Sequence, residues 1–358
     1  MRAALIGPPR SGKSVLFAAV AEAGGSHVHL SRPDQPHLAV VKVPDERLDW
    51  LARQHNPKKV TPAELEFLDL PGFDLSDDAG RQRARGHWQE MEKSDMLAFV
   101  VADFTSPTVA AYRGRVDPPA DLDELRAEML FADLERVSNR IERIEAALKK
   151  PTPAQHRDEQ TKELALMTRL RETLEAEKPI RGAIETEWEA KCVRSFQFLT
   201  LKPTLAVVNV GEDRAAEAGS EELSSLPCMQ LSVRIEEEIA QLSPQERGEF
   251  LADLGLTTSA RDRLIRACYR RLNLVSFLTD GPDECRAWTI ATGTDAVTAA
   301  GDIHSDIARG FIRAEVVAFD DLRAAGDHKA AKAAGKVRQE GKSYVVQDGE
   351  VIYFRFNV

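Results

Sequence analysis

Read for its alternation of apolar and polar positions, the chain starts with a short unbroken apolar run, Arg2 to Ile6 (RAALI), that stops at Gly7. An apolar run without alternation is what a parallel strand buried on both faces requires. After Ser14 the pattern changes to VLFAAVAEAGG, a small-residue helix ending at Gly24-Gly25. Further runs predict strands at Glu64 to Leu70 (ELEFLDL), Met96 to Phe104 (MLAFVVADF) and Pro203 to Val210 (PTLAVVNV). A short one follows at Met229 to Val233, and Ala39 to Val43 reads as an antiparallel edge. Runs of this kind alternating with helices predict an α/β fold with a doubly wound, mostly parallel sheet.

Between Asp121 and Ile180 the period changes. Leu130, Leu134, Val137, Ile141, Ile144 and Leu148 step by four and three, a heptad seam. Pro151-Thr152-Pro153 breaks it, and Asp158 to Glu177 carries Leu164, Met167, Leu170 and Leu174 on a second helix. Two readings fit: an ordinary helical pair packed on the sheet, or an antiparallel coiled-coil hairpin inserted into the domain. The mostly charged outer positions favour the hairpin. From about Leu274 short strands return: LVSFLT, RAWTI, AEVVAF, then SYVVQDGEVIYFRF, read as a hairpin turning at Asp348-Gly349. They predict a small β-rich C-terminal domain of the β-grasp kind. The expected boundaries are 1–120 and 200–273 for the parallel-sheet domain, 121–199 for the hairpin and 274–358 for the last domain.

Composition narrows the functions. Charged residues make up 30% of the 358 and the net charge is −10, which argues against non-specific coating of nucleic acid and against DNA as a partner. No run approaches the length of a membrane span, and the N-terminal run, leading straight into a glycine loop, does not read as a secretory leader. Cys192, Cys228, Cys268 and Cys285 are scattered without a C-x-x-C and read as reduced thiols of a cytoplasmic protein. The eight histidines show no ligand spacing.

The candidate chemistry lies in Gly7-Pro8-Pro9-Arg10-Ser11-Gly12-Lys13-Ser14. It fits G-x-x-x-x-G-K-[ST], and it has the context that motif needs: strand before, helix after. The glycines let the backbone curl so that successive N–H groups face an anion, and the helix that follows adds its positive end. Lys13 would reach the β/γ-phosphates of a nucleoside triphosphate, and the Ser14 hydroxyl would ligate Mg²⁺. Asp69-Leu70-Pro71-Gly72 closes the next strand, where an Asp holds Mg²⁺ and a Gly admits the γ-phosphate. Asn209-Val210-Gly211-Glu212 ends another strand, and Ser232-Val233-Arg234 a later one. Such strand ends face a base, although N-x-x-E lacks the Lys and Asp of the guanine-reading N-K-x-D. Asn209 could bond an adenine edge, or the segment could be a surface turn.

At these residues the chain resembles the YchF-type Obg-like ATPases, a branch of the translation-factor P-loop NTPases. The matching stretches are GPPRSGKS, VPDERLDWLARQHNPKKVTPAELEFLDLPG, ADLERVSNRIERIEAALKK, LKPTLAVVNVGED, FLADLGLTTSARDRLIRACYRRLNLVSFLTDGPDECRAWTI and, for the C-terminal TGS domain, AAGDIHSDIARGFIRAEVVAFDDL with AAGKVRQEGKSYVVQDGEVIYFRFNV. The resemblance implies a G domain, an inserted helical hairpin and a TGS domain. It also implies a preference for ATP over GTP, weak intrinsic hydrolysis, and association with ribosomes. By position, Gly7 to Ser14, with Val15 after them and Gly72 opposite, hold the phosphates. Ser14 and Asp69 serve Mg²⁺. Asn209, Val210 and Glu212 face the base beside Ser232, Val233 and Arg234.

The departures bear on hydrolysis. Arg10 stands where the family has an Asn that helps hold a monovalent cation. It either supplies that charge itself, acting with Lys13 in catalysis, or is idle. No threonine lies between Ser14 and Thr61, leaving Ser26 and Ser31 as the hydroxyls of that stretch. Phe73 follows Gly72, where a Gln orients water in GTPases such as Ras. DLSDDAGRQRARGHWQEM replaces a glycine-rich segment, and Ala111 and Tyr112 stand where the family carries a loop His. The expectation is therefore a nucleotide-dependent switch with slow turnover, or a nucleotide-binding scaffold without it. Lys149, Lys150, Arg157, Arg169 and Arg171 on the hairpin form either a basic face for RNA or a solvated mixed-charge surface.

Overall fold

The computed structural model describes residues 1–23, 32, 34–151, 153–217 and 221–357. The predicted Gly24-Gly25 helix end, Ser26 and Ser31 lie outside them. The strands are β1 (Arg2–Ile6), β2 (His37–Lys42), β3 (Lys59–Thr61), β4 (Glu64–Asp69), β5 (Met96–Asp103), β6 (Thr204–Val210), β7 (Glu222–Leu223), β8 (Leu226–Leu231), β9 (Leu274–Thr279), β10 (Glu284–Ala291), β11 (Phe311–Ala318), β12 (Arg338–Glu340) and β13 (Glu350–Phe356). They build two compact units. Residues 1–19 and 67–257 form most of the first, and residues 39–66 with those from 258 onward most of the second.

The first unit is organised on a sheet in which β1, β5, β6, β8 and β7 are neighbours in that order, with the C-terminal half of β4 beside β1. The pairs β1–β5, β5–β6 and β6–β8 are parallel, and the short β7 runs antiparallel to β8. Ala3 to Ile6 and Met96 to Val101 are fully buried, so both faces of these strands are covered. That is the physical reason for their unbroken apolar runs. One face packs Ile6, Phe99 and Val208 against Leu122, Leu125 and Met129 of the helix Pro118–Leu148.

That helix is shared between two cores. Asp117 caps it by accepting from the Ala120 N–H, and Pro118-Pro119 fill its first turn, where no N–H is needed. Its C-terminal half turns the predicted seam toward the helix Ala154–Glu175. Val137, Ile141 and Ile144 pack with Leu166, Met167, Leu170 and Leu174, and Ile180, Val193 and Phe198 close the cluster. The inserted hairpin is therefore present.

The second unit holds a six-stranded mixed sheet, β12-β11-β13-β9-β10-β3, with the helix Ala296–Ile303 packed on it through Ala296, Ala299 and Ala300, the β-grasp arrangement expected. The edge strand β3 comes from far up the chain and pairs parallel with β10.

Two sequence expectations need correction. Residues Ser343–Asp348 do not pair with β13, so Asp348-Gly349 is not a hairpin turn. Strand β13 pairs antiparallel with β11 and parallel with β9 instead. Gly349 takes φ 81°, but Asp348 does not share it, as a type I′ turn would need. Its carboxylate is held from elsewhere, accepting from Ser276 N at 2.8 Å and from the Arg47 guanidinium at 2.8 Å. The strand placed over Met229 to Val233 ends at Leu231. Val233 starts the helix Val233–Gln241, because its N–H is taken by the Asn209 carboxamide and the chain turns there.

Candidate functional site

The loop from Gly7 to Ser14 leaves the buried end of β1 and enters the helix α1 (Lys13–Ala23). Arg10 and Gly12 take left-handed backbone angles, φ 65° and 87°. A Cβ on Gly12 would lie 2.3 Å from Asn209 Nδ2, and one on Gly7 would lie 2.2 Å from the Val100 carbonyl oxygen. Both glycines are thus required by close approach. A cleft of about 350 Å³ is lined by Pro8, Pro9, Arg10, Ser11, Gly12, Lys13, Ser14, Val15 and Gly72.

At the end of this loop Lys13 is 4% exposed and Asp69 3%. The ammonium donates to the Asp69 carboxylate and to the Leu70 carbonyl, and lies 3.5 Å from the Ser14 hydroxyl. Burial pulls Lys13 below the usual lysine range, and the charge of Asp69 works against that pull. One carboxylate oxygen and one hydroxyl oxygen around an ammonium form a hard donor set of the kind a phosphate-bound Mg²⁺ uses.

Asn209, at the end of β6, is 5% exposed and acts as a clamp. Its Nδ2 donates to the Ser11 carbonyl at 3.0 Å, and its Oδ1 accepts from Val233 N at 3.0 Å. The carboxamide so ties the glycine loop to the start of the helix Val233–Gln241. Beside it opens a second cleft, of about 840 Å³, which brings together Arg10, Gly12 and Val15 with Asn209, Val210, Glu212, Ser232, Val233 and Arg234. Arg234 bonds Glu212 at 2.7 Å across its mouth. The Ser232 hydroxyl is buried and takes no partner among the described residues.

Gly72 sits against Pro9, where a Cβ would be 3.0 Å from the Pro9 Cα, and the next residue bonds back, Phe73 N to Gly7 O at 2.9 Å. The Phe73 ring is buried and stacks on His87, centroids 6.3 Å apart and planes 18° apart. Burial, with the positive charge of Lys13 behind it, holds the His87 imidazole below its ordinary range, and Glu90 opposes. Sequence reading passed over His87, since its motif-free segment gives no sign that it folds against Phe73. Tyr112 is buried too, its hydroxyl accepting from Leu75 N at 2.9 Å. Arg10 is exposed at the rim of both clefts.

On the hairpin, Arg169 bonds Glu189 at 2.6 Å and Arg171 lies 3.8 Å from Glu175. Lys149, Lys150 and Arg157 are exposed.

Comparison with known proteins gives the chain's family. Residues 274–357 match the family model YchF-GTPase_C, described as a protein of unknown function (DUF933). The whole chain is 39% identical to a protein of Bacillus subtilis named ribosome-binding ATPase YchF, covering 100% of both chains. The chain belongs to the YchF/Obg-like ATPase family. It is also 33% identical to Obg-like ATPase 1 of Oryza sativa, over 100% of this chain and 92% of that one. Among solved structures, the YchF GTPase of Schizosaccharomyces pombe superposes with a TM-score of 0.84 at 27% identity, covering 99% of this chain and 97% of the other. Within the YchF family, then, this chain combines the glycine loop with Arg10 at its rim and His87 stacked on Phe73. No helix among the described residues is long and apolar enough to cross a membrane.

Proposed function

We propose that this chain is a cytoplasmic nucleotide switch that binds a nucleoside triphosphate, ATP or GTP, with Mg²⁺, hydrolyses it slowly and associates with the ribosome. The observation that carries the reading is the clamped glycine loop with clefts along both of its sides, one suited to phosphates and one to a base. The relatives' names support it: one is a ribosome-binding ATPase, another a GTPase.

In this reading the backbone N–H groups from Gly7 to Ser14 cradle the phosphates. Lys13 leaves Asp69 for the β/γ-phosphate oxygens, and Arg10 reaches them from the rim. Asp69 and Ser14 hold Mg²⁺, whose chemistry when bound is to neutralise charge on the phosphate oxygens. Val210 and Glu212 face the base, with Ser232 and Arg234 opposite. Catalysis is by positioning and electrostatics, in which Lys13 and Arg10 stabilise charge on the leaving group.

A scaffold that binds without turnover is the second reading. Phe73 favours it, because a buried ring bonds no water. Calorimetry with ATP and GTP, with and without Mg²⁺, followed by phosphate release beside a Lys13→Ala control, tests both. Tight Mg²⁺-dependent binding with release that the control abolishes supports the switch. Binding without release leaves the scaffold, and no binding of either nucleotide overturns both.

A further inference from the structure

Three side chains of the second unit converge away from any sequence motif. His55 ends the helix α2 (Glu46–His55), Asp280 lies in the turn after β9, and His328 opens the helix His328–Ala333. The Asp280 carboxylate Oδ2 stands 2.7 Å from His55 Nε2 and 2.8 Å from His328 Nε2. The three ligand-bearing atoms all lie within 4.8 Å of one another. Among the described residues this is the one group of three or more His, Cys, Asp or Glu side chains so placed. Asp280 is 10% exposed in its side chain, while His55 and His328 are 32% and 43% exposed, so the cluster is anchored inside and open outside.

The backbone places these groups. Lys58 N donates to Pro282 O and Lys59 N to Asp283 O, both at 3.1 Å, laying the segment after His55 along the turn that carries Asp280. Strand β3 continues the pairing beside β10. Asp327 caps the helix of His328 by accepting from Ala330 N at 2.7 Å, which orients its first residue. Each ligand therefore comes from an element fixed by its own hydrogen bonds.

We propose that His55, Asp280 and His328 form a binding site for a divalent first-row transition ion, of which Zn²⁺ is the type. Two imidazoles and a carboxylate are the ligand set that such ions prefer, and one that Mg²⁺ and Ca²⁺ do not. Three protein ligands leave a fourth tetrahedral position for water. With bonds of about 2.0 Å, ligand atoms in such a site sit about 3.3 Å apart. The two N···O distances have to open by roughly half an ångström, a move within reach of side-chain rotation at exposed histidines. Binding exchanges the proton each Nε2 shares with Asp280 for the metal, and the ion then joins three segments remote in sequence.

The test uses the full chain stripped with chelator and titrated with Zn²⁺ by calorimetry, with zinc X-ray absorption on the loaded protein. Expected are one bound equivalent, nitrogen and oxygen neighbours near 2.0 Å, and no competition from Mg²⁺. His55→Gln, Asp280→Asn and His328→Gln are each expected to weaken binding by about 100-fold or more, beyond the loss of an outer-shell partner. Absence of saturable uptake, sulfur neighbours from the free cysteines, or unchanged affinity in all three variants would overturn the site and leave a hydrogen-bonded cluster. The absorption arm reads the unmutated protein, so a variant that fails to fold does not block the decision.

Discussion

Asn209 shows how much one side chain can hold together. Its carboxamide satisfies the Ser11 carbonyl and the Val233 N–H, both buried with it. Asn209→Ala removes both bonds at once and strands their partners, a loss of about 1–3 kcal/mol. The expected outcome is a lower urea midpoint and a triphosphate affinity reduced about tenfold, since 1.4 kcal/mol is a factor of ten. An unchanged midpoint would mean the loop holds itself. Lys13, Ser14 and the two glycines were legible because the motif is contiguous and its chemistry local. Asn209 was legible only as a residue at a strand end. Its clamp depends on where α1 and the helix Val233–Gln241 meet, which no spacing encodes. His87 was illegible for the same reason: a lone histidine in a polar stretch announces nothing until its ring is found on Phe73.

At the scale of elements, the hairpin was the clearest case, since a repeated step of four and three fixes both helices and their shared face. Leu170 is fully buried in that seam. Leu170→Ala is expected to cost about 2–5 kcal/mol of hairpin stability. Hydrogen exchange should show it as lost protection across residues 137–174, with triphosphate affinity unchanged, because the loop's own core is a different cluster. Loss of nucleotide binding in this variant would show that the two clusters are not separable. The C-terminal strands were read correctly in kind and wrongly in pairing. Asp-Gly is a strong local turn signal, but Asp348 is drawn instead to Ser276 N and Arg47, and tertiary bonds outweigh a dipeptide preference. Nor could alternation reveal that β3 joins β10: a three-residue edge strand is too short to carry a period.

For the whole molecule the governing quantity is charge. A net −10 leaves little for phosphate to find, and Arg169 is already committed to Glu189. If the hairpin meets ribosomal RNA through Lys149, Lys150 and Arg157, at most three phosphates are neutralised. Co-sedimentation with ribosomes should then fall with salt at a log–log slope of about −3 or shallower. A much steeper slope would place the contact on another surface. Composition made the acidic balance readable from the start, but not the convergence of His55, Asp280 and His328, because residues so far apart meet only through the fold.

If the site binds as proposed, the ion pair of Lys13 with Asp69 has a consequence for the order in which ligands help each other. Phosphate oxygens that draw Lys13 away leave Asp69 an unmatched anion, ready for a divalent cation. A cation taken by Asp69 releases Lys13 toward phosphate. In the proposed reading each ligand would remove the competitor of the other, so the two would bind cooperatively, and by thermodynamic reciprocity the gain would be the same whichever arrives first. A single contact, Lys13 to Asp69, would thereby make the site respond to the complexed nucleotide more than to either component alone.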